Sequence, residues 1–257
     1  MGLGDRELAQ PLVGVASTWN EATPCNMVLH DLAQYAKRGV AENGGTPREF
    51  VAISVSDGIG MGHQGMKASL VSREVIADSI ELMMRAHCYD ALVGLAGCDK
   101  SLPGTLMAMA RLNLPSIFIY GGTIKPGRFK GKDVTIQNVY EGVGLHQAGA
   151  MSAEDLHELE CAACPGIGSC GGPFTPKPTA SVIEAIGMCP PGKATTPAGG
   201  AGGAGHPRGA DGSGAERGRG EGGGARGVSS CCAGPARAGP PRRPPAPPGG
   251  GSTSGAA

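Results

Sequence analysis

Apolar and polar positions follow two different periods along the first 198 residues. Short runs of β-branched and small apolar residues, Val13–Ser17, Phe50–Val55, Ala91–Ala96 and Ser116–Tyr120, predict strands. Between them apolar residues recur every three or four positions. Asn26–Glu42 predicts a helix with Leu29, Leu32, Ala33, Ala36 and Val40 on one face and Gly44-Gly45 as its stop. Ala68–Ala86 predicts a longer helix, with Val71, Val75, Ile76, Ile80 and Met83 turned inward and Glu74, Asp78 and Glu81 outward. Leu102–Leu112 predicts a third, with Pro103 in its first turn. Ser152 and Asp155 form a capping-box pattern that opens a fourth, running to Ala163. Trp19 and Tyr35 read as core residues. Strand–helix alternation of this kind predicts an α/β fold, a mostly parallel sheet flanked by helices, with ligands beyond the carboxyl ends of the strands.

Composition changes this picture after Ala198. Residues 199–257 hold 20 Gly, 11 Ala and 8 Pro, no Leu, Ile, Met, Phe, Tyr or Trp, and Val228 as their one branched aliphatic. Such a segment has too little apolar surface to offset its ordering entropy, so it is expected to be a disordered tail after a folded domain of residues 1–198. GC-rich coding read in a shifted frame, or a gene-model error, is the expected source of so abrupt a change.

Charge divides at the same point. The first 198 residues carry 15 basic and 19 acidic side chains, the remainder seven Arg and three acids. A mildly acidic body argues against a nucleic-acid partner, and the basic tail lacks interleaved aromatics. No apolar run reaches the about 18 residues of a membrane span, so no membrane partner is expected. The opening residues, MGLGDRELAQP, have the pattern of neither a signal nor a transit peptide. A cytoplasmic protein is expected, or one of the plastid or mitochondrial matrix if a transit peptide lies upstream. Nine cysteines, an odd number, read as thiols and metal ligands rather than a disulfide framework.

The candidate chemistry gathers where strands are predicted to end. Residues 20–26, Asn-Glu-Ala-Thr-Pro-Cys-Asn, follow the first strand. Ser56-Asp57-Gly58-Ile59 follows the second and Gly97-Cys98-Asp99-Lys100-Ser101 the third. A fourth cluster, Gly168-Ser169-Cys170-Gly171-Gly172, precedes a helical pattern. Cys25, Cys98 and Cys170 each sit in a Gly- or Pro-flanked loop. Three thiolates suit an iron–sulfur cluster with one iron left open to a substrate oxygen, although the same residues also read as small buried thiols. Asp57 and Asp99 are hard oxygen donors suited to Mg²⁺. Lys100 beside Asp99 reads either as a surface ion pair or as a lysine whose neutral amine takes up CO₂ to give a metal-stabilised carbamate. Cys161-x-x-Cys164 with Cys170 resembles a zinc knuckle without its fourth ligand. The loop Gly58–Gly62 lacks the order and the Lys-Ser/Thr of a phosphate loop. His63 reads as a hydrogen-bonded structural residue.

Five stretches, GVASTWNEATPCN, ISVSDGIGMGHQGMKASLVSREVIADSIE, GLAGCDKSLPG, YGGTIKPGRFKG and ACPGIGSCGG, resemble the dihydroxy-acid dehydratases, within the wider group that also dehydrates phosphogluconate and sugar acids. Residues 20–26 and the long Ser-Asp-Gly segment favour the branched-chain enzyme. The resemblance implies Cys98 and Cys170 as cluster ligands with Cys25 as the third, Asp57 and Asp99 as Mg²⁺ carboxylates, and Lys100 as a carbamylated lysine. The cofactors it implies are an iron–sulfur cluster, 2Fe–2S rather than 4Fe–4S, and Mg²⁺. The implied reaction takes water from a small 2,3-dihydroxy acid, in a homodimer, and the enol becomes a 2-oxo acid of valine, isoleucine and leucine synthesis. A Lewis acid must bind the departing 3-hydroxyl and a base must take the C2 proton.

The family's chains continue into a β-barrel-like second half that carries the base serine and a further carboxylate. No catalytic base is therefore expected in this chain, and it is expected to be inactive alone. The alternatives are a related sugar-acid dehydratase, or a non-catalytic interaction protein that pairs with a full-length paralogue through an exposed apolar face. Where the family opens a helix after its Gly-Gly, this chain has Pro173-Phe174-Thr175-Pro176-Lys177-Pro178-Thr179, and three prolines are expected to oppose that start.

Overall fold

The computed structural model describes residues 2–199, so the expected tail lies outside the described residues apart from Gly199. Four strands, β1 (Leu12–Ser17), β2 (Thr46–Val51), β3 (Ala91–Ala96) and β4 (Ser116–Tyr120), form one parallel sheet in the order β2-β1-β3-β4. Val13 pairs with Pro47 on one side and Ala91 on the other, and Leu92 pairs with Ser116. β1 and β3 are central, covered on both faces, and read as almost unbroken apolar runs for that reason.

Alternate side chains feed two layers. Val13, Val15, Val93, Leu95, Ile117 and Ile119 pack under α2 (Leu29–Glu42), which turns Leu29, Leu32, Ala33, Ala36 and Val40 onto them as its periodicity predicts. Ala16, Leu92, Phe118 and Tyr120 face the other way, onto α4 (Lys67–Ala86), α5 (Ser101–Leu112) and α8 (Pro176–Ala185). Full burial of a side chain such as Phe118 or Ile76 contributes about 1.5–3 kcal/mol. Two short helices, α1 (Asp5–Leu8) and α3 (Asp57–Gly60), precede β1 and follow β2 in the chain. After β4 the hairpin β5 (Gly127–Phe129) and β6 (Lys132–Val134) turns through Lys130 and Gly131, both at positive φ, the two-residue turn that matches strand twist. Helices α6 (Ile136–Gln147) and α7 (Ala153–Ala163) close a small second core on Val134, Leu159 and Ala163. Ser152 caps α7, its Oγ accepting the Asp155 N–H at 3.0 Å. Among the described residues no helix is long and apolar enough to cross a membrane.

Several expectations need correction. The second strand is Thr46–Val51 rather than Phe50–Val55. As an edge strand it tolerates Pro47, and its last ladder bond is the Ala52 N–H to the Ser17 carbonyl at 2.8 Å. The β-branched run beyond it is the loop that carries the chain to Asp57. α2 begins at Leu29, not Asn26, because the Asn26 side chain is committed to the Thr18 carbonyl at 2.7 Å. On α4, Val71 and Val75 are exposed, and Met84 replaces Met83 in the core. The buried stripe is instead Ser69, Ser72, Ile76, Ala77 and Ile80, small enough for α5 to approach so closely that a Cβ on Gly104 would lie 2.8 Å from the Arg73 carbonyl. Tyr35 lies half outside, with the Arg38 guanidinium 5.3 Å over its ring. The prolines do not prevent α8: Pro176 is its first residue and Pro178 its third, where backbone N–H groups have no helical partner to lose.

Candidate functional site

The carboxyl ends of β1, β2 and β3 point the same way, so the loops that leave them meet over one sheet edge. The chain leaves β1 toward β2 and then crosses over to β3, which opens a crevice between the β1 and β3 ends. The first loop carries Cys25 and Asn26, the second Asp57, and the third Cys98, Asp99 and Lys100. A fourth arrives from between α7 and α8 and runs beside the chain leaving β4. There Ser169 bridges to Thr123, its N–H donating to the Gly122 carbonyl at 2.8 Å and its carbonyl accepting the Ile124 N–H at 2.7 Å. That pairing brings Cys170 to the others.

The three thiols form one interacting group. Cys25 and Cys98 are buried and Cys170 half-buried. The Cys25 thiol donates toward those of Cys170 and Cys98, and these bonds, with burial, push it well above the ordinary thiol range. The same bond from Cys25 pulls Cys170 down to about 7 against the cost of its burial. Cys98 is lowered for the same first reason. Cys25 therefore holds its proton more firmly than either neighbour.

Beside them lies a carboxyl–amine group. Lys100 Nζ donates to Asp57 Oδ2 at 3.0 Å and also to Asp99 Oδ2, and Ser69 Oγ donates to Asp57 Oδ1 at 2.6 Å. Burial, then the Asp99 carboxyl, raises Asp57. Burial would raise Asp99 too, but hydrogen bonds from Asp57, Lys100 and Thr175 outweigh it and hold Asp99 below the usual carboxylate range. Burial would lower Lys100, yet its bonds to Asp99 and Asp57 raise it, so it is an ammonium braced between two carboxyls rather than a surface ion pair. The charges of Asp57 and Asp99 reach Cys170, so the two groups share one electrostatic environment.

All six residues singled out in the sequence, Cys25, Cys98, Cys170, Asp57, Asp99 and Lys100, thus meet at one edge. The knuckle cysteines do not join them: Cys161 and Cys164 are exposed, with Cys161 Sγ 3.8 Å from His157 Nε2. Cys189 is buried in the layer under α8. His63 is structural, its Nδ1 accepting the Gly65 N–H at 3.0 Å. An open, mostly apolar cavity of about 390 Å³ by Trp19, Asn20 and residues 51–54 is lined by none of the six. Among the described residues no three His, Cys, Asp or Glu side chains surround the position of a single metal ion.

Sequence reasoning missed the residues that support the six. Ser69 was hidden in a helical pattern that gave no reason to single it out. Thr175 hydrogen-bonds Asp99, and Ser101 Oγ accepts the Cys98 N–H at 2.9 Å. Tyr140 on α6 is raised by burial and then by the charges of Cys170, Cys164 and Asp57, which puts α6 beside the site. Ser101 stood inside the third cluster without a role of its own, and Tyr140 lies outside every motif and gave no signal.

Residues 10–204 match the family model described as dihydroxy-acid/6-phosphogluconate dehydratase N-terminal. A dihydroxy-acid dehydratase of Parvibaculum lavamentivorans is 64% identical over 198 residues, which are 77% of this chain and 34% of the relative. One of Pelagibacter ubique is 63% identical over 198 residues, 77% of this chain and 35% of its own. One of Sulfurisphaera tokodaii is 56% identical over the same span, 77% and 35%. The chain spans about a third of the length of these curated relatives.

Proposed function

The chain belongs to the dihydroxy-acid/6-phosphogluconate dehydratase N-terminal family, and from that premise we propose that it supplies the thiol and carboxylate site of a hydro-lyase. The substrates are 2,3-dihydroxy-3-methyl acids, converted to 2-oxo acids in branched-chain amino-acid synthesis. The observation that carries the reading is the meeting of three thiols with two carboxyls and a lysine at one sheet edge.

The donor set fits the expected groups by its chemistry. Soft thiolates suit iron, and hard carboxylates suit Mg²⁺. Cys25, Cys98 and Cys170 would hold an iron–sulfur cluster, and Asp57, Asp99 and the carbamate of Lys100 would hold Mg²⁺. When bound, the two groups would supply Lewis acidity toward the departing 3-hydroxyl and the substrate carboxylate.

The chain's own residues are set for that loading. Cys98 and Cys170 are lowered and give up their protons more readily, and the Cys25 proton is the one held hardest against loading. Asp99 is held below and Asp57 above the usual carboxylate range, and a cation seated between them would displace the Lys100 ammonium. Ser69 then keeps Asp57 oriented through its hydroxyl. CO₂ adds only to the neutral Lys100 amine, which the two carboxyls disfavour, so carbamylation rises with pH.

A chimera tests the reading. Residues 1–198 replace the matching segment of the Parvibaculum lavamentivorans relative, and 2-oxo acid formation from 2,3-dihydroxy-3-methylbutanoate is measured under anaerobic conditions. Activity is expected, and Cys98→Ala is expected to abolish it with loss of bound iron. A folded chimera that loads iron but makes no 2-oxo acid overturns the assignment.

A further inference from the structure

We propose that Ser169 is a positioning residue that fixes the spacing of the three thiols by clamping the Cys170 loop onto the Cys98 loop. Ser169 is fully buried, and its Oγ donates to the Gly97 carbonyl across 72 positions of sequence. Its own N–H and carbonyl are already paired with the chain after β4, so the residue cannot slide. Next to it, the Gly168 N–H donates to the Pro24 carbonyl at 3.0 Å. Gly97 also closes against the first loop. A Cβ there would overlap the Cys25 carbonyl oxygen and lie 2.9 Å from Asn26 Oδ1.

These contacts share a pattern. Pro24, Gly97 and Ser169 each stand immediately before one of the three cysteines, and each belongs to a tie that joins two of the three loops. Pro24–Gly168, Gly97–Ser169 and Gly97–Cys25 close a triangle whose members all lie within two residues of a thiol. Two sides are backbone against backbone. The third depends on one hydroxyl, so a single substitution can open it. This inference rests on the proposed function only for its purpose, the holding of a cluster. The clamp itself acts on the thiols with or without one.

The test compares the full chain with Ser169→Ala, which removes one oxygen atom. Metal-free, reduced protein is treated with dibromobimane, which joins thiols a few ångströms apart, and the Cys25–Cys170 peptide pair is followed by mass spectrometry. Rates are normalised to monobromobimane labelling of Cys170, which corrects for any change in thiol reactivity. Far-UV circular dichroism reports the fold. The hydroxyl clamp predicts a rate about tenfold lower in Ser169→Ala, the size expected when a buried hydrogen bond is lost. Iron and sulfide content after anaerobic reconstitution is expected to fall with it. Ser169→Gly removes the same hydroxyl without leaving a methyl group in the buried position and is expected to slow the same cross-link, which keeps the test decisive if Ser169→Ala does not fold.

An unchanged normalised rate in a folded variant overturns the clamp, whatever the protein loads. If the native chain takes up no iron and sulfide while Ser169→Ala still cross-links more slowly, the clamp stands and the proposed function fails.

Discussion

Cys170 and Cys189 lie on either side of α8, and both are sheltered from solvent, yet they titrate in opposite directions. Burial pushes Cys189 up to about 11, and a backbone bond at Tyr120 with the charge of Lys193 offsets only part of it. Cys170 is drawn down to about 7, because the Cys25 thiol donates to it. The same side chain is thus an inert packing element in the layer below the sheet and an incipient thiolate at its edge. Shelter alone favours the neutral thiol, and convergence with a second thiol reverses it. The carboxyl–amine group follows the same rule, since burial acts against the charge of Asp99 and Lys100 and their mutual bonds overcome it.

The largest effect expected from this contrast is in reactivity. At pH 7 Cys170 is about half ionised, and Cys189 about one part in ten thousand. Native iodoacetamide labelling, read by mass spectrometry, should modify Cys170 about a thousandfold faster or more, with its rate levelling above pH 8. Labelling of Cys189 should stay negligible until the protein unfolds. Comparable rates would break the contrast.

Next in size is a substitution on the packing side. Phe118 belongs to the layer that contains Cys189, and Phe118→Ala should cost about 3–5 kcal/mol in urea unfolding. It should also bring Cys189 labelling forward. Cys25→Ala sharpens the other side. With the donor gone, the half-point of Cys170 labelling should move up, toward or above the ordinary thiol value, while thermal stability changes little. A half-point that stays near pH 7 would show that Cys25 is not what lowers Cys170.

Much of this was legible in the sequence, and the failures have physical reasons. Val13, Val15 and the α2 stripe could be read because each side chain had one layer to face. Val71 and Val75 misled because helical periodicity gives a stripe without saying which of two adjacent faces meets its neighbour. α5 approaches through Gly104, and that contact selects the small residues Ser69, Ser72 and Ala77 over larger valines. The site could be read at Cys25, Asp57, Cys98, Asp99 and Lys100 because parallel strands deliver their following loops to one edge. The chemistry and order of the motifs, not topology, marked Cys170, whose loop reaches the edge by pairing Ser169 with Thr123 after a long excursion. Ser69 and Thr175 could not be read, because a hydroxyl acquires its role only when a carboxyl is brought to it.

The smallest effect separates coupled from uncoupled titration. Glu184, on α8, accepts the Gly192 N–H at 2.7 Å and the Ala194 N–H at 2.8 Å, and these backbone bonds, that of Ala194 first, lower its pKa. A carboxyl lowered by folding adds stability that is present above its unfolded pKa and is lost as pH falls through its folded one. Glu184→Gln keeps an acceptor oxygen but no charge. Its melting temperature should therefore sit slightly below that of the native chain at pH 7, and the gap should close below the ordinary carboxylate range. The partners here are amides, which do not titrate, so the gap should follow the uptake of one proton. At the sheet edge Asp57, Asp99 and the thiols change one another's protonation, and no single-proton curve should fit there. A gap that persists undiminished into acid would mean that the contact of Glu184 with the chain after Cys189 is one of shape and not of charge.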